Sequence, residues 1–228
     1  EFARAAAEHG IKPIQGVELT MEGGAHLTLL AENPEGYANI CNILTDAYMN
    51  SSDRRRPEAR VHTLERHSKG LIALSGCRRG AIPAAILARQ HDRAMQAAEA
   101  LVKIFGKRNF YIELQHPMTP GAAALNSALI HLASSLGVGV VATNNVHYTH
   151  KSGFELHDVL TCIRTLTTLD DIHPERHINA ENYLKSAAQM RELFALVPEA
   201  VVNTLAIAER CSPGLNLGRK LFPKYEPP

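Results

Sequence analysis

The stretch from Gly137 to His150, GVGVVATNNVHYTH, decides the fold class. Its β-branched run over residues 138–141 predicts a buried strand, and polar side chains follow directly where that strand ends. In parallel α/β proteins the carboxyl ends of strands carry the binding and catalytic residues. Asn145 and His147 therefore mark a candidate site, although a polar turn with a surface histidine explains the same sequence.

On both sides of this stretch, short apolar runs alternate with helical patterns. Strands are predicted over residues 12–19, 26–31, 71–76, 110–115 and 138–141. Helices are predicted over residues 2–9, 37–49, 122–136, 154–166, 186–194 and 198–211, and a helical pair leads to Phe105. Gly23 and Gly24, between the first two strands, suit a tight turn. The alternation predicts an α/β fold with a mainly parallel sheet.

The composition bounds the class of protein. The 228 residues are 45% hydrophobic and 21% charged, which suits a domain with a substantial core. The chain has a net charge of +1 and an aromatic share of 5%. It therefore lacks the strong positive charge and the many aromatic side chains that are typical of nucleic-acid-binding proteins. Four scattered cysteines without a CxxC pair favour a reducing, cytoplasmic setting. No apolar run is long enough to cross a membrane.

The start of the chain suggests a piece of a longer protein. The helix over residues 2–9 has no N-cap residue before it, and Gly10 closes it. We expect a domain portion over residues 1–178, followed by a helical tail and linker over residues 179–228.

Reactive side chains lie at or near the ends of several predicted strands. They are Glu18, His26, Cys77, His116, Asn145 and His147. Carboxylate, imidazole and thiolate groups together suit a borderline transition metal such as Zn²⁺, Mn²⁺ or Fe²⁺. No spacing among them is diagnostic, and each residue alone has an ordinary structural explanation. A metal site and a purely structural set of residues both remain open at this point.

Seven segments of the chain resemble a known family. They are GIKPIQGVEL, HLTLLAENPEGYANICNIL, GLIALSGCRRG, FYIELQ, VVATNNVHY, NAENYLKSAAQM and PEAVVNTLAIAERC. In sequence and in order they resemble the amino-terminal polymerase-and-histidinol-phosphatase (PHP) domain of bacterial DNA polymerase III alpha subunits, of the replicative or the error-prone branch. The agreement of seven ordered segments over nearly the whole chain makes the resemblance specific.

The resemblance implies a distorted β/α barrel of the PHP type, truncated at its amino end, with divalent ions such as zinc or manganese at the strand ends. The positions that match the family's metal ligands are Glu18, His26, Cys77, Asn145 and His147. The remaining ligands of the family would lie upstream of Glu1. Arg78 and Arg79, next to the matching cysteine, are candidate phosphate contacts or a solvated turn.

One departure from the family concerns the charge of the site. The family pattern usually has aspartate where this chain has Asn145. A neutral amide does not offset the repulsion between closely spaced cations. The resemblance therefore implies a weakened metal site.

The resemblance also implies a function. The parent protein would be a DNA-directed DNA polymerase, a nucleotidyltransferase of DNA replication or translesion synthesis, with the metal cluster acting as a 3′–5′ exonuclease. Its partners would be the remainder of the subunit, DNA, and proofreading or other replisome subunits. The resemblance implies no contact with a membrane. Without the aspartates of nucleotidyl transfer and with few charged ligands, this chain alone is expected to be inactive.

Two other functions stay open. One is a metal-depleted structural module that braces the polymerase core and docks other subunits. The other is a free-standing phosphatase such as histidinol phosphatase, which the resemblance of residues 179–225 to polymerase subunits disfavours.

Overall fold

Five strands form one mixed sheet in the computed structural model, which describes residues 2–212. They lie side by side in chain order: β1 (Gly16–Thr20), β2 (His26–Ala31), β3 (Leu71–Leu74), β4 (Phe110–Gln115) and β5 (Gly139–Thr143). β2 pairs antiparallel with both β1 and β3, whereas β3 with β4 and β4 with β5 pair in parallel. β2 is therefore the one reversed strand of this sheet.

The prediction of a mainly parallel sheet is wrong for the pairings of β2. Gly23 and Gly24 take positive φ angles of 87° and 83° in the connection from β1 to β2. Such a short turn returns the chain beside the strand it has just left, so the two strands must run in opposite directions. Within residues 2–212 no strand pairing joins β1 to β5, and the closed barrel stays a prediction.

Helices lie before β1, between the strands from β2 onward, and after β5. They are α1 (Phe2–Glu8), α2 (Pro34–Asn50), α3 (Val61–Arg66), α4 (Ala81–Leu87), α5 (His91–Phe105), α6 (Ala122–Leu136), α7 (Phe154–Thr165), α8 (Ala187–Leu193) and α9 (Pro198–Arg210). The predicted α/β class is confirmed, and the predicted helices agree with these within a few residues. The first strand begins at Gly16 rather than at residue 12, because Pro13 has no N–H group to donate to a neighbouring strand.

The sheet has a hydrophobic layer on each face. Leu71 and Ala73 of β3 belong to the main core, and the alternate residues Ile72 and Leu74 belong to a second cluster. That second cluster also contains Val141, Ile207 and Cys211. Because side chains alternate across a strand, β3 is buried on both faces, as in α/β proteins with helices on each side of the sheet.

The described part of the predicted tail, residues 179–212, contacts the sheet. Asn203 of α9 donates to the carbonyl of Val140 in β5 at 2.8 Å, and Ala200 belongs to the main core. The predicted boundary at residue 178 stays a prediction, and the linker predicted within residues 213–228 lies outside the described residues. The four cysteines are free thiols, and no helix within residues 2–212 could span a bilayer.

The N-terminus of α2 offers a test of local stability. Asn33 Oδ1 accepts a hydrogen bond from the Gly36 N–H at 3.0 Å. The change Asn33→Ala removes this cap and should lower the free energy of unfolding by about 1 kcal/mol, measured by urea denaturation. Asn33→Asp keeps an oxygen acceptor and should stay near the wild-type value. Equal losses in the two variants would show that the cap does not stabilise the helix.

Candidate metal centre

Three side chains from neighbouring strands meet at one end of the sheet. Glu18 lies in β1, His26 opens β2, and Cys77 follows β3. His26 Nδ1 lies 3.0 Å from Glu18 Oε1 and 3.4 Å from Cys77 Sγ. One possible ligand atom from each residue lies within 4.8 Å of the other two. The three side chains thus place an oxygen, a nitrogen and a sulfur around one point.

The reversal of β2 explains this meeting. Because β2 runs against the other strands, its first residue lies at the end of the sheet where β3 finishes. Glu18 pairs with Thr28, two residues beyond His26, so Glu18 and His26 are diagonal neighbours on one face. Gly76 allows the loop after β3 to approach, since a Cβ there would lie 2.4 Å from the His26 carbonyl oxygen.

Burial shifts the pKa of two of these groups, His26 and Cys77. Burial lowers the pKa of His26, although the nearby Glu18 carboxylate acts in the opposite direction. The imidazole is therefore neutral at pH 7, so its 3.0 Å contact with Glu18 is not an ion pair at that pH. Burial also raises the pKa of the Cys77 thiol, which stays protonated at neutral pH unless a cation displaces the proton.

The two candidate residues after β5 face the same cavity as this trio. The cavity has a volume of about 520 Å³, and its lining includes Glu18, His26, Cys77, Asn145 and His147. Asn145 has a φ of 43°, a left-handed conformation that asparagine tolerates better than most residues. Its carbonyl accepts a hydrogen bond from Asn182 Nδ2 at 3.0 Å. The structure therefore brings the five positions that match the family's metal ligands to one cavity.

Comparison with known protein families shows which family the chain belongs to. The family model described as "PHP domain" matches residues 1–117. The chain belongs to the PHP domain family. The resemblance seen in the sequence is thereby confirmed.

Relatives of this PHP domain chain include polymerases from several bacteria. It is 47% identical over 242 aligned residues to the error-prone DNA polymerase of Symbiobacterium thermophilum, with 100% of this chain and 22% of the relative covered. It is 34% identical over 236 residues to the DNA polymerase III subunit alpha of Pseudomonas aeruginosa, covering 100% and 20%. For the Thermus aquaticus subunit alpha the identity is 36% over 242 residues, covering 97% and 19%. The chain spans about a fifth of the length of these relatives.

The donor set of this PHP domain fits a divalent transition metal. Carboxylate oxygen, imidazole nitrogen and thiolate sulfur are all zinc ligands in proteins, and the soft thiolate favours zinc over manganese. Glu18, His26 and Cys77 are the residues that would hold such an ion. Within residues 2–212, no other set of three His, Cys, Asp or Glu side chains brings its ligand atoms so close together.

The two candidate phosphate-binding arginines line different cavities. Arg79 lines the cavity of the metal centre, and Arg164 of α7, paired with Glu175, lines it as well. Arg78 lines a smaller cavity beside Glu113 instead. His116 is half-buried and is not part of the lining of the metal-centre cavity. Arg79 is therefore the better placed of the two arginines for contact with a phosphate.

Glu113 lies next to the metal centre, in the smaller cavity that Cys77 also lines, and the sequence reasoning missed it. It is only 6% exposed, and its carboxylate accepts hydrogen bonds from Thr143 Oγ1 at 2.5 Å and Gln115 Nε2 at 2.8 Å. Its N–H donates to Ser75 Oγ at 2.9 Å. Burial raises the pKa of this carboxyl group. Glu113 thus connects the ends of β3, β4 and β5, and an acid within the apolar run FYIELQ was the signal for it.

Two histidines that no local spacing pointed to also line the cavity. His157 of α7 and His177 of the following loop pack against His147. Burial, and then the neighbouring His147 and His157, lower the pKa of His177 to about 4. Burial also lowers the pKa of His147. These two imidazoles are therefore neutral at pH 7, which is the form that binds metals.

Proposed function

We propose that the chain is the PHP portion of a bacterial DNA polymerase and that its cavity is the site of a metal-dependent 3′–5′ exonuclease. The observation that carries the proposal is the convergence of Glu18, His26 and Cys77 within 4.8 Å in a cavity open to substrate. The names of the relatives support the polymerase as the parent protein, a nucleotidyltransferase of replication or translesion synthesis. Such a protein works in the cytoplasm with DNA and the remainder of its subunit as partners.

The residues around the cavity suit phosphodiester hydrolysis. A bound divalent cation supplies Lewis-acid activation of the phosphodiester and of the attacking water. Glu18 and His26, which lie in β1 and β2, and Cys77, which follows β3, would hold the cation. Arg79 donates hydrogen bonds to phosphate oxygens and offsets the charge that develops on them.

A neighbouring groove favours a strand of nucleic acid over a small phosphate ester. The groove has a volume of about 1000 Å³ and shares Glu18, His26, Arg79 and Arg164 with the metal-centre cavity. Arg55 and Arg56 add two guanidinium groups along it. Glu58 and Glu175 also line the groove, and Glu175 is paired with Arg164. The other arginines can still bind successive phosphates of one strand that leads to the metal centre. This argues against a free-standing phosphatase for small substrates.

The structural-module function has a specific observation in its favour. Helix α7 exposes an apolar face on which Leu156 is 65%, Leu160 is 54% and Ile163 is 65% accessible. Its buried residues are Asp158, Thr161 and Cys162, so the helix turns much of its apolar surface away from the core. An apolar face of this kind is typical of an interaction surface. Asn145 in place of a charged ligand favours the same function.

The exonuclease proposal is tested in the intact polymerase. Degradation of a 5′-labelled single strand should require Zn²⁺ or Mn²⁺, and Glu18→Gln or Cys77→Ser should reduce it at least tenfold, since each removes a metal ligand. Primer extension by the same variants should stay unchanged. Cys41→Ser, which alters an exposed cysteine of α2, is the matched control.

The outcomes separate the two functions. If degradation persists in both variants, the exonuclease lies elsewhere and the proposal fails. If zinc binds through Glu18 and Cys77 but no degradation occurs with wild-type protein, the centre is structural and the module function is favoured.

A further inference from the structure

Tyr48 is an exposed aromatic residue in the groove beside the metal-centre cavity. It lies in the last turn of α2, lines that groove of about 1000 Å³ and is 49% exposed. Of the aromatic residues within residues 2–212, only Tyr48 and Phe2 are exposed, and Phe2 does not line the groove. Tyr48 is therefore the one aromatic ring in this part of the chain that is accessible to a ligand in the groove.

The charged loop after α2 holds two arginines beside this ring. The Ala59 N–H donates to the carbonyl of Thr20 at 2.8 Å, and the Glu22 N–H donates to the carbonyl of Ala59 at 2.9 Å. These two hydrogen bonds fix the end of the loop to the end of β1. Arg55 and Arg56 of the same loop line the groove together with the tyrosine.

Three acidic residues line the same groove, but they do not neutralise these two arginines. Glu175 is paired with Arg164, and Glu18 belongs to the metal centre. Glu58 is the third, and within residues 2–212 it forms no ion pair with either arginine of the loop. This part of the groove therefore carries a positive charge that phosphate groups can neutralise.

An aromatic ring next to two guanidinium groups suits a single strand of nucleic acid. Guanidinium groups bind the phosphates of such a strand, and its bases stack on aromatic side chains. In a duplex each base is already stacked between its neighbours, so its face is not accessible to the ring. The net charge of the whole chain is only +1, and a binding site of this kind must therefore be local.

We propose that Tyr48 is a stacking platform for one base of a single-stranded nucleic acid whose phosphates contact Arg55 and Arg56. The proposal rests on the proposed function for the course of the strand, because the groove shares His26 and Arg79 with the metal-centre cavity. It goes beyond that function by assigning a nucleobase subsite. Because every base has an aromatic face, the subsite accepts any sequence but favours single strands over duplexes.

Binding without metal tests the stacking platform separately from hydrolysis. Fluorescence anisotropy of a 5′-labelled oligothymidine of about 12 nucleotides, measured in EDTA, gives the Kd of the 228-residue protein for a single strand. Tyr48→Ala should raise this Kd about tenfold, whereas Tyr48→Phe keeps the ring and should stay near the wild-type value. Met49→Ala, which shortens a neighbouring exposed side chain that does not line the groove, is the matched control.

The dependence of the affinity on salt separates stacking from charge. The double change Arg55→Gln with Arg56→Gln should reduce the slope of log affinity against log salt by about 1.4, since each phosphate contact on a single strand contributes about 0.7. Tyr48→Ala should weaken binding and keep the slope, because the ring carries no charge. A lower slope in Tyr48→Ala would show that the tyrosine only supports the loop with the arginines, and the proposal would then be wrong.

A duplex of the same length provides the second comparison. Its Kd should be the same for Tyr48→Ala and the wild-type protein, and equal losses for single strand and duplex would overturn the stacking role. Thermal unfolding by circular dichroism checks that each variant folds, and Tyr48→Leu replaces Tyr48→Ala if the latter does not. The proposal also fails if the wild-type protein does not bind the single strand, or if loss of the ring leaves its Kd unchanged. Because neither metal nor hydrolysis enters this measurement, its outcome is independent of the degradation assay of the intact polymerase.

Discussion

Asn145→Asp should raise the affinity of the protein for Zn²⁺ by about 10–100-fold. Substitutions around a metal site typically change its affinity by a factor in this range. Asn145 lines the cavity of the metal centre, and the substitution replaces a neutral amide oxygen by an anionic one. Aspartate tolerates the left-handed φ of 43° much as asparagine does, so the backbone should not change. Competition with a chelator of known affinity measures the effect.

The control for this change is Asn42→Asp. Asn42 is an exposed residue of α2 that does not line the cavity, and the change alters the net charge by the same amount. Its affinity for Zn²⁺ should match that of the wild-type protein, because solvent and salt screen a distant charge. Equal gains in the two variants would mean that net charge alone controls binding. No gain with Asn145→Asp would show that zinc does not contact this position, which favours the structural-module function.

The elements of the fold could be predicted because their signals are local. Strand β4 and helix α6 were predicted to the residue, since an apolar β-branched or aromatic run and a helical period are each bounded by breaking residues. The direction of β2 was also encoded locally, in Gly23 and Gly24. The general expectation of parallel strands in α/β proteins outweighed that signal, although a two-glycine turn leaves the chain no room for a crossover.

The site could be predicted only in part from the sequence. The reversal of β2 places His26, which opens its strand, beside Cys77, which follows the end of β3. The roles of Glu18, His26, Cys77, Asn145 and His147 came from the resemblance to the PHP family and stay predictions. His157 and His177 reach His147 through the Asp158–Arg176 pair, and a contact made by tertiary structure leaves no spacing in the sequence.

The affinity of the Cys77 centre for Zn²⁺ should rise about tenfold per pH unit between roughly pH 6.5 and 8. Burial raises the pKa of the Cys77 thiol above its ordinary value of about 8.5, so the thiol is protonated throughout this range. Zinc binds the thiolate, and each ion must therefore displace one proton. Burial lowers the pKa of His26 below 6.5, so this imidazole is already neutral and releases no proton here. Below that pH the dependence should steepen as His26 becomes protonated.

Calorimetry in buffers of different ionisation enthalpy measures the proton count directly. The wild-type protein should release about one proton per zinc ion at pH 7 from the Cys77 centre. Cys77→Ser should lower the count towards zero, because the remaining imidazole ligands are neutral before the metal arrives. Cys41→Ser, which removes an exposed thiol outside the cavity, should leave the count unchanged. A wild-type affinity that does not vary with pH would mean that the Cys77 sulfur is not a ligand, and the centre would then have to rest on Glu18 and the histidines alone.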